Sequence, residues 1–149
     1  MHGGIPKHNT YSFLDLSCVL SHPSLGQLAL QGEGAVSITF TMAADVSAQD
    51  SAADGTVMTS KISVRNGTVA IVVQQTSSFH RWLTNAYNYL VEAASGEWTG
   101  FNLMCVAPNM QVTHEAGFMC FQKRADKPYQ AQGQQVTWNF MASELKEYV

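Results

Sequence analysis

Segments whose apolar residues recur at every second position constrain the fold of this chain most strongly. Two of them, at 36–42 and 136–142, alternate cleanly from end to end. In the first, one face carries Val36, Ile38, Phe40 and Met42, and the other carries Ser37, Thr39 and Thr41. Successive side chains of a strand point to opposite sides of its sheet, so each segment predicts a strand with one buried face and one wet face. The chain is therefore predicted to be mainly β.

Further strands are predicted where short apolar or β-branched runs are bounded by turn residues. They lie at 11–20, 25–31, 57–64, 68–75, 101–106 and 110–123. We interpret the last of these as a hairpin of 110–115 and 117–123, and the end of the chain, 144–149, as a polar tail. Asp54-Gly55 and Asn66-Gly67 are typical of hairpin turns, and Pro108-Asn109 predicts another turn.

A single segment has the period of a helix, from about residue 78 to about residue 94. Its apolar residues recur at three- and four-residue spacing, at Phe79, Trp82, Leu83, Ala86, Tyr87, Leu90 and Ala94. His80 falls outside this stripe, Ser77 or Ser78 is suited to cap the start, and Gly96 is suited to end the helix. Because the apolar stripe is too wide to leave in water, the helix is expected to lie on a sheet. The predicted fold is a β-sandwich or partly rolled barrel of about eight strands with this one flanking helix.

The length of 149 residues predicts one domain that spans 1–149. Residues 1–9 are expected to form a flexible N-terminal arm. Residues 43–55, which are small, polar and acidic without a period, are expected to form an extended loop or a hairpin arm. Charged residues make up only 13% of the chain, about half of the usual share. Such a surface favours burial against other subunits, and an ordinary domain with a weakly charged surface is the alternative.

No pattern in the sequence predicts catalysis, and we expect neither an enzyme nor a bound cofactor or metal. The five histidines have no metal-ligand spacing on one element. Asp45, Asp50 and Asp54 lack the alternating oxygen ligands and the closing glutamate of a calcium-binding loop. The sequence also lacks the common nucleotide-binding and hydrolase motifs.

Cysteines, apolar runs and charge limit the compartment and the partners. An odd number of cysteines in apolar settings, Cys18, Cys105 and Cys120, predicts unpaired buried thiols and folding in a reducing cytoplasm. No apolar run approaches the roughly 20 residues that span a bilayer, and no apolar signal core is seen, so neither a membrane segment nor classical export is expected. A net charge of −3 with scattered basic residues predicts no specific binding of nucleic acid.

Short motifs follow one another in a fixed order along most of the chain. They lie at 10–15 (TYSFLD), 53–58 (ADGTVM), 66–79, 121–124 (FQKR) and 136–140 (VTWNF), together with Tyr129. None of these motifs is catalytic, and their specificity lies in their order. In this order they resemble the tail-tube protein family of contractile-tailed bacteriophages, which is related in architecture to the tube proteins of type VI secretion.

The resemblance implies a structural virion protein that forms the inner tail tube. Six copies would make a ring, the sheets of the ring would join into one barrel, and stacked rings would enclose a channel through which DNA passes without specific binding. The implied partners are further copies of the chain, a tail sheath protein, and baseplate or terminator proteins. Assembly would take place in the host cytoplasm. Another ring of the tail, such as a terminator, connector or baseplate hub, is the alternative, and a small β-barrel ligand-binding module is a third possibility.

Two sets of residues are the candidate sites. The first lies in a stretch much longer than a hairpin turn requires, and we predict that it contacts another subunit. Its residues are Ala44, Asp45, Val46, Gln49 and Asp50. The second is polar but uncharged, and we predict that it faces the channel, because it offers no cation to hold phosphate. Its residues are Ser37, Thr39 and Thr41. A strand face that is simply exposed to solvent is the alternative for this second set.

Overall fold

Strands dominate the computed structural model of the protein, which describes residues 16–30, 35–107, 111–130 and 132–149. Nine strands and two helices lie in these described ranges. In chain order they are β1 (Ser17–His22), β2 (Gly26–Ala29), β3 (Ala35–Met42), β4 (Ser47–Ser51), β5 (Val57–Lys61), β6 (Gly67–Gln74), α1 (Ser78–Glu92), α2 (Ser95–Trp98), β7 (Phe101–Ala107), β8 (Val112–Phe121) and β9 (Gln135–Tyr148). The flexible N-terminal segment predicted at 1–9 and the turn predicted at Pro108-Asn109 lie outside the described residues.

Seven of the strands form one antiparallel sheet in the order β2-β1-β7-β8-β9-β6-β3. The sheet curls into a half-barrel. Because of this curl, Phe40 of β3 stacks on His114 of β8, with ring centroids 4.6 Å apart, although β9 and β6 lie between the two strands. The prediction of a mainly β fold with a partly rolled sheet and a flanking helix is confirmed.

The core lies on the face of this sheet that α1 covers. On β6, Val69, Ile71 and Val73 are buried, and the residues between them are half-buried. Trp138 of β9 lies directly opposite Ile71 in the register and is fully buried. Burying a side chain such as Ile71 stabilises the fold by about 1.5–3 kcal/mol. The strand predicted at 68–75 and the alternation predicted at 136–142 are thus confirmed, the latter by the burial of every second residue from Val136 to Ala142.

The helix α1 begins and packs largely as its period indicates. The Ser77 side chain caps it by accepting a hydrogen bond from the backbone N–H of His80 at 3.2 Å. Its buried residues include Leu83 and Leu90. The prediction that His80 lies on the polar side is wrong, because the imidazole is buried and its Nδ1 accepts a hydrogen bond from Trp138 Nε1 at 3.1 Å. The prediction that Gly96 ends this helix is also wrong, since α1 ends at Glu92 and Gly96 lies within α2.

The segment 110–123 is not a hairpin, and 144–149 is not a free tail. Within the described residues, β8 is one strand from Val112 to Phe121, and β9 continues to Tyr148 as its partner. The register between β7 and β8 shifts next to Phe118, whose φ is 50°. Gly117 therefore belongs to a bulge, which bends a strand without ending it. The end of β9 pairs with the start of β8, with Lys146 opposite Glu115 and Tyr148 opposite Thr113. This part of the ladder lies beyond the covered core, so polar residues are tolerated in it.

Gly67 does not form the hairpin turn that Asn66-Gly67 predicts. Gly67 is the first residue of β6 and lies opposite Met42, while β5 ends at Lys61, earlier than predicted, and pairs with β4. A β-carbon at position 67 would collide with the backbone oxygen of Thr41 and with Leu145 Cδ1. The glycine is therefore required for the close approach of neighbouring strands, and the β4–β5 hairpin is inserted between two strands that pair with each other.

Candidate functional site

Residues 43–62, which we call the arm, form a hairpin between β3 and β6. Its two strands pair from Ser47 opposite Lys61 to Ser51 opposite Val57. The turn is fixed locally, because the Asp54 carboxylate accepts hydrogen bonds from the backbone N–H and the hydroxyl of Thr56 at 3.1 and 2.7 Å. These two bonds lower the pKa of Asp54. The turn is thus closed by contacts within the arm itself.

Every residue from 41 to 63 is exposed, so the arm has no core of its own. Three of its four large apolar side chains nevertheless share one face. Val46 accepts a backbone hydrogen bond from Ile62 at 2.8 Å, Met58 lies opposite Asp50, and these three apolar side chains are 44%, 40% and 70% exposed respectively. An isolated two-stranded hairpin is at best marginally stable in water. The arm is therefore expected to pack against a partner.

The five predicted inter-subunit residues do not share one surface of the arm. Ala44 and Asp45 precede β4, whereas Gln49 and Asp50 are neighbours in β4 and so point to opposite faces. Sequence reasoning missed the contribution of β5, whose Met58 is the most exposed apolar side chain of the arm. The signal that could have found it is an apolar pair directly after the Asp54-Gly55 turn.

The second predicted set lies on the sheet face opposite the core. Ser37, Thr39 and Thr41 of β3 share this face with their register partners on β6 and β9, and we call the combined surface the neutral face. The partners are Val72, Ala70 and Thr68 on β6, and Thr137, Asn139 and Met141 on β9. None of these nine side chains is charged. The structure thus extends the predicted polar strand into an uncharged surface three strands wide.

The strand β3 lies at the edge of the sheet. Among the described residues it pairs only with β6, so the backbone groups on its other side are open to a further strand. Its core-facing side is accordingly less covered than predicted, since Ile38 and Phe40 are half-buried and Met42 is 50% exposed. A long open edge is prone to pair with another chain.

The two buried histidines have structural partners. His22 Nδ1 accepts a hydrogen bond from the Ser24 N–H at 3.0 Å, so its Nε2 carries the proton and donates to the Glu97 carbonyl at 2.8 Å. Burial lowers the pKa of His80, and the charge of Lys127 lowers it further. Burial therefore favours the neutral form of His80, and both imidazoles act as hydrogen-bonding groups inside the fold.

The three cysteines are free thiols. Cys18 of β1 lies directly opposite Cys105 of β7, and both are fully buried. The pKa of Cys105 is raised by the hydrogen bond with Cys18 and by burial, and burial raises that of Cys120. The raised pKa values keep the thiols of Cys105 and Cys120 protonated and unreactive.

Other kinds of site find little support in the part of the chain that the structure describes. No group of three or more potential metal ligands is present there. None of the described helices is both long and apolar enough to cross a membrane. A hollow of about 410 Å³ lies over β7–β9, but charged side chains line it, and two of these, Lys146 and Glu144, pair with each other at 3.1 Å.

The family model described as bacteriophage PhiTE tail tube protein matches residues 8–149. Among solved structures, the tube-terminating cap of the anti-feeding prophage is similar, with a TM-score of 0.56 and 8% identity over 97% of this chain and 95% of that one. A chain of the PVC sheath/tube terminator, from an extracellular contractile injection system, gives 0.54 and 7% over 97% and 96%. A chain of the PVC sheath–tube complex gives 0.53 and 6% over 89% and 88%. At these identities the likeness is one of fold. No curated protein sequence matches the chain significantly.

Proposed function

The chain belongs to the bacteriophage PhiTE tail tube protein family, and from this premise we propose that it forms the inner tube of a phage tail. In this proposal six copies close into a ring and the rings stack around a channel for DNA. The observation that carries the proposal is the arm, a fully exposed hairpin with an apolar face on a chain that otherwise has a well-packed core. Such a hairpin gains a core only in an assembly.

Ring closure uses the open edge of β3. A neighbouring copy adds a strand to this edge, and the backbone hydrogen bonds of the new ladder join the two sheets. Every subunit of a cyclic ring offers the same pair of unlike surfaces, so the contact repeats until the ring closes. The seven-stranded half-barrel then becomes one segment of a larger barrel.

The neutral face lines the channel. Duplex DNA carries one negative charge per roughly 1.7 Å of its axis, and fixed lysines or arginines along the wall would hold it by neutralising phosphates. The nine uncharged side chains of the neutral face offer no such contact. DNA can therefore slide along this wall without being bound.

The arm supplies contacts between subunits, and Ala44, Asp45, Val46, Gln49 and Asp50 take part in them together with β5. The protein has a structural and not an enzymatic role in this proposal, and it requires no cofactor. Its place is the tail of the virion, after assembly in the host cytoplasm. Its partners are further copies of itself, a tail sheath protein, and baseplate or terminator proteins.

A terminator ring is the second candidate. The observation that favours it is coverage, because the cap and the terminator match 97% of this chain and the chain of the sheath–tube complex matches 89%. A terminator has the same need for ring contacts but stops further stacking. The two functions therefore differ in one property of the purified protein, which is whether its rings stack.

Negative-stain microscopy of the purified protein tests the proposal. A tube protein gives rings that stack into tubes, whereas a terminator gives rings that do not stack. A protein that stays monomeric at micromolar concentration would contradict both functions and would favour a small ligand-binding module.

A further inference from the structure

Charge is distributed unevenly between two exposed segments of the chain. The arm carries Asp45, Asp50 and Asp54 against Lys61, which gives it a net charge of −2. Residues 122–130, which follow β8 and which we call the basic loop, carry three basic side chains against one acid, a net charge of +2. The basic side chains are Lys123, Arg124 and Lys127, and the acid is Asp126.

The arm and the basic loop extend toward opposite ends of the same strands. The arm leaves and rejoins the sheet where Met42 pairs with Gly67. The basic loop runs back toward Gln135, which pairs with Gln74 at the far end of β6. At about 3.3 Å per residue, the eight residues of β6 separate these two ends by roughly 23 Å. The Gln122 N–H donates to the Asn139 carbonyl and the Gln75 N–H donates to the Gln134 carbonyl, both at 2.9 Å, so the chain between Gln122 and Gln134 runs along β9 toward this far end.

The two segments also present exposed apolar side chains beside their charges. On the arm, Met58 is 70% exposed and shares a face with Asp50, which lies directly opposite it. On the basic loop, Tyr129 is 85% exposed and follows Lys127 by two residues. Each segment thus offers a charge and a large apolar group side by side, with opposite signs of charge. The charges are available, since Lys123 makes only an ion pair of 3.9 Å with Asp126, and both side chains are largely exposed.

We propose that the arm of one copy docks on the basic loop of a second copy, head to tail. Aspartates of the arm then face the lysines of the basic loop, and Met58 packs on Tyr129. Because the two surfaces differ and lie at opposite ends of the sheet, the contact repeats along one direction and propagates a stack. This inference rests on the proposed tube function and identifies the surface that the arm contacts.

Charge reversal tests the pairing. Wild-type protein is compared with a basic-loop variant (Lys123→Glu and Lys127→Glu), an arm variant (Asp45→Lys and Asp50→Lys), and the combination of all four changes. The basic-loop variant and the arm variant each place like charges in contact when made separately. The concentration needed for tube formation should therefore rise by about tenfold or more in each, while rings persist. The combination restores opposite charges and should restore tubes. Ser47→Lys combined with Ser51→Lys is the matched control, because it adds positive charge to the face of the arm that points away from Asp50 and Met58 and should leave tubes intact.

The outcomes separate the inference from the function on which it rests. Wild-type protein that forms neither rings nor tubes overturns the tube proposal. Tubes that form equally well in both half variants, or half variants that are not rescued by the combination, overturn the docking inference alone. Thermal unfolding of each variant is measured to check that its fold is retained.

Cross-linking gives an independent readout of the same contact. One copy carries Met58→Cys and another carries Tyr129→Cys, both in a Cys120→Ser background that leaves only the two buried native thiols. A short bismaleimide should link the mixed copies but not either copy alone. Ser51→Cys, which lies next to Asp50 on the other face of the arm, should link poorly with Tyr129→Cys. Equal linking from both arm positions would contradict a face-specific contact.

Discussion

Removing the arm should separate folding from assembly. The change replaces residues 44–65 with Asn-Gly and leaves all seven strands of the main sheet in place. The Ala43 N–H already donates to the Asn66 carbonyl at 3.1 Å, next to the paired Met42 and Gly67. The ladder therefore holds the two cut ends together, and Asn-Gly suits the two-residue turn that closes them.

The free energy of unfolding should change little. The replaced residues are exposed or half-buried, so little buried apolar area is lost. The hydrogen bond from Leu145 N–H to the Arg65 carbonyl, 2.7 Å, is removed at a cost of about 1 kcal/mol. The exposed Arg65–Glu144 ion pair at 3.9 Å contributes about 0–1 kcal/mol. Shortening the connection roughly tenfold lowers the cost of loop closure by up to about 2 kcal/mol. These effects nearly cancel, so the melting temperature should stay within about 4 °C of the wild-type value.

Circular dichroism and negative-stain microscopy measure the two consequences. We expect a cooperative thermal transition near that of the wild type and no tubes. Ser47→Ala, on the face of the arm that points away from Asp50 and Met58, is the matched control and should still give tubes. Normal tubes from the shortened protein would refute the reasoning, because the stacking contacts would then lie elsewhere. A loss of more than about 3 kcal/mol would also refute it, since the arm would then belong to the core.

Four further predictions follow from the interior and from charge. Trp138→Phe leaves His80 Nδ1 without its donor and should cost about 1–3 kcal/mol in urea unfolding; an unchanged midpoint would contradict this. The lowered pKa of His80 means that, below its ordinary value of 6.5, the unfolded chain binds a proton that the folded chain resists, so stability should fall as the pH decreases below that value; a flat profile between pH 5 and 8 would argue against it. Replacing Cys18, Cys105 and Cys120 with alanine should cost about 1 kcal/mol at each buried site and leave assembly intact, whereas a disulfide or bound metal in native mass spectra would show a different role. Duplex DNA should not bind at micromolar concentration in low salt, where electrostatic attraction is strongest, and clear binding would exclude an inert channel.

Elements with a strong local period could be predicted from the sequence. The core residues of β9 alternate from Val136 to Ala142, the apolar run of β6 is rich in β-branched residues, and the stripe of α1 recurs at the helical period. Burial on one side is sufficient to produce such patterns, so they can be recognised in the sequence without knowing the partner strands. His80 was misplaced because the period alone cannot reveal that an imidazole finds a buried partner in Trp138.

Features that depend on pairing between distant strands could not be predicted. Gly117 is compatible with a turn or with a bulge, and only the partner strands β7 and β9 decide between them. Asn66-Gly67 has the composition of a turn, yet the glycine is required by contacts with Thr41 and Leu145. Polar residues at the end of β9 pair beyond the covered core, where no apolar pattern is needed.

Only part of the candidate site could be predicted, because the rest depends on how the strands pair. The uncharged face of β3 is visible in the sequence, but its extension over β6 and β9 follows only from the register. The arm was identified as a segment without a core, whereas the face that carries Val46, Ile62 and Met58 requires the pairing of β4 with β5.

The low charge content of the chain can be understood from where the charges lie. The neutral face carries none of them, while the arm and the basic loop, at opposite ends of the sheet, carry charges of opposite sign. A monomer would gain solubility from charges spread over its whole surface. A subunit that stacks head to tail around a polyanion instead requires complementary ends and a wall without fixed cations, since the ends determine the direction of growth and the wall determines how freely DNA moves.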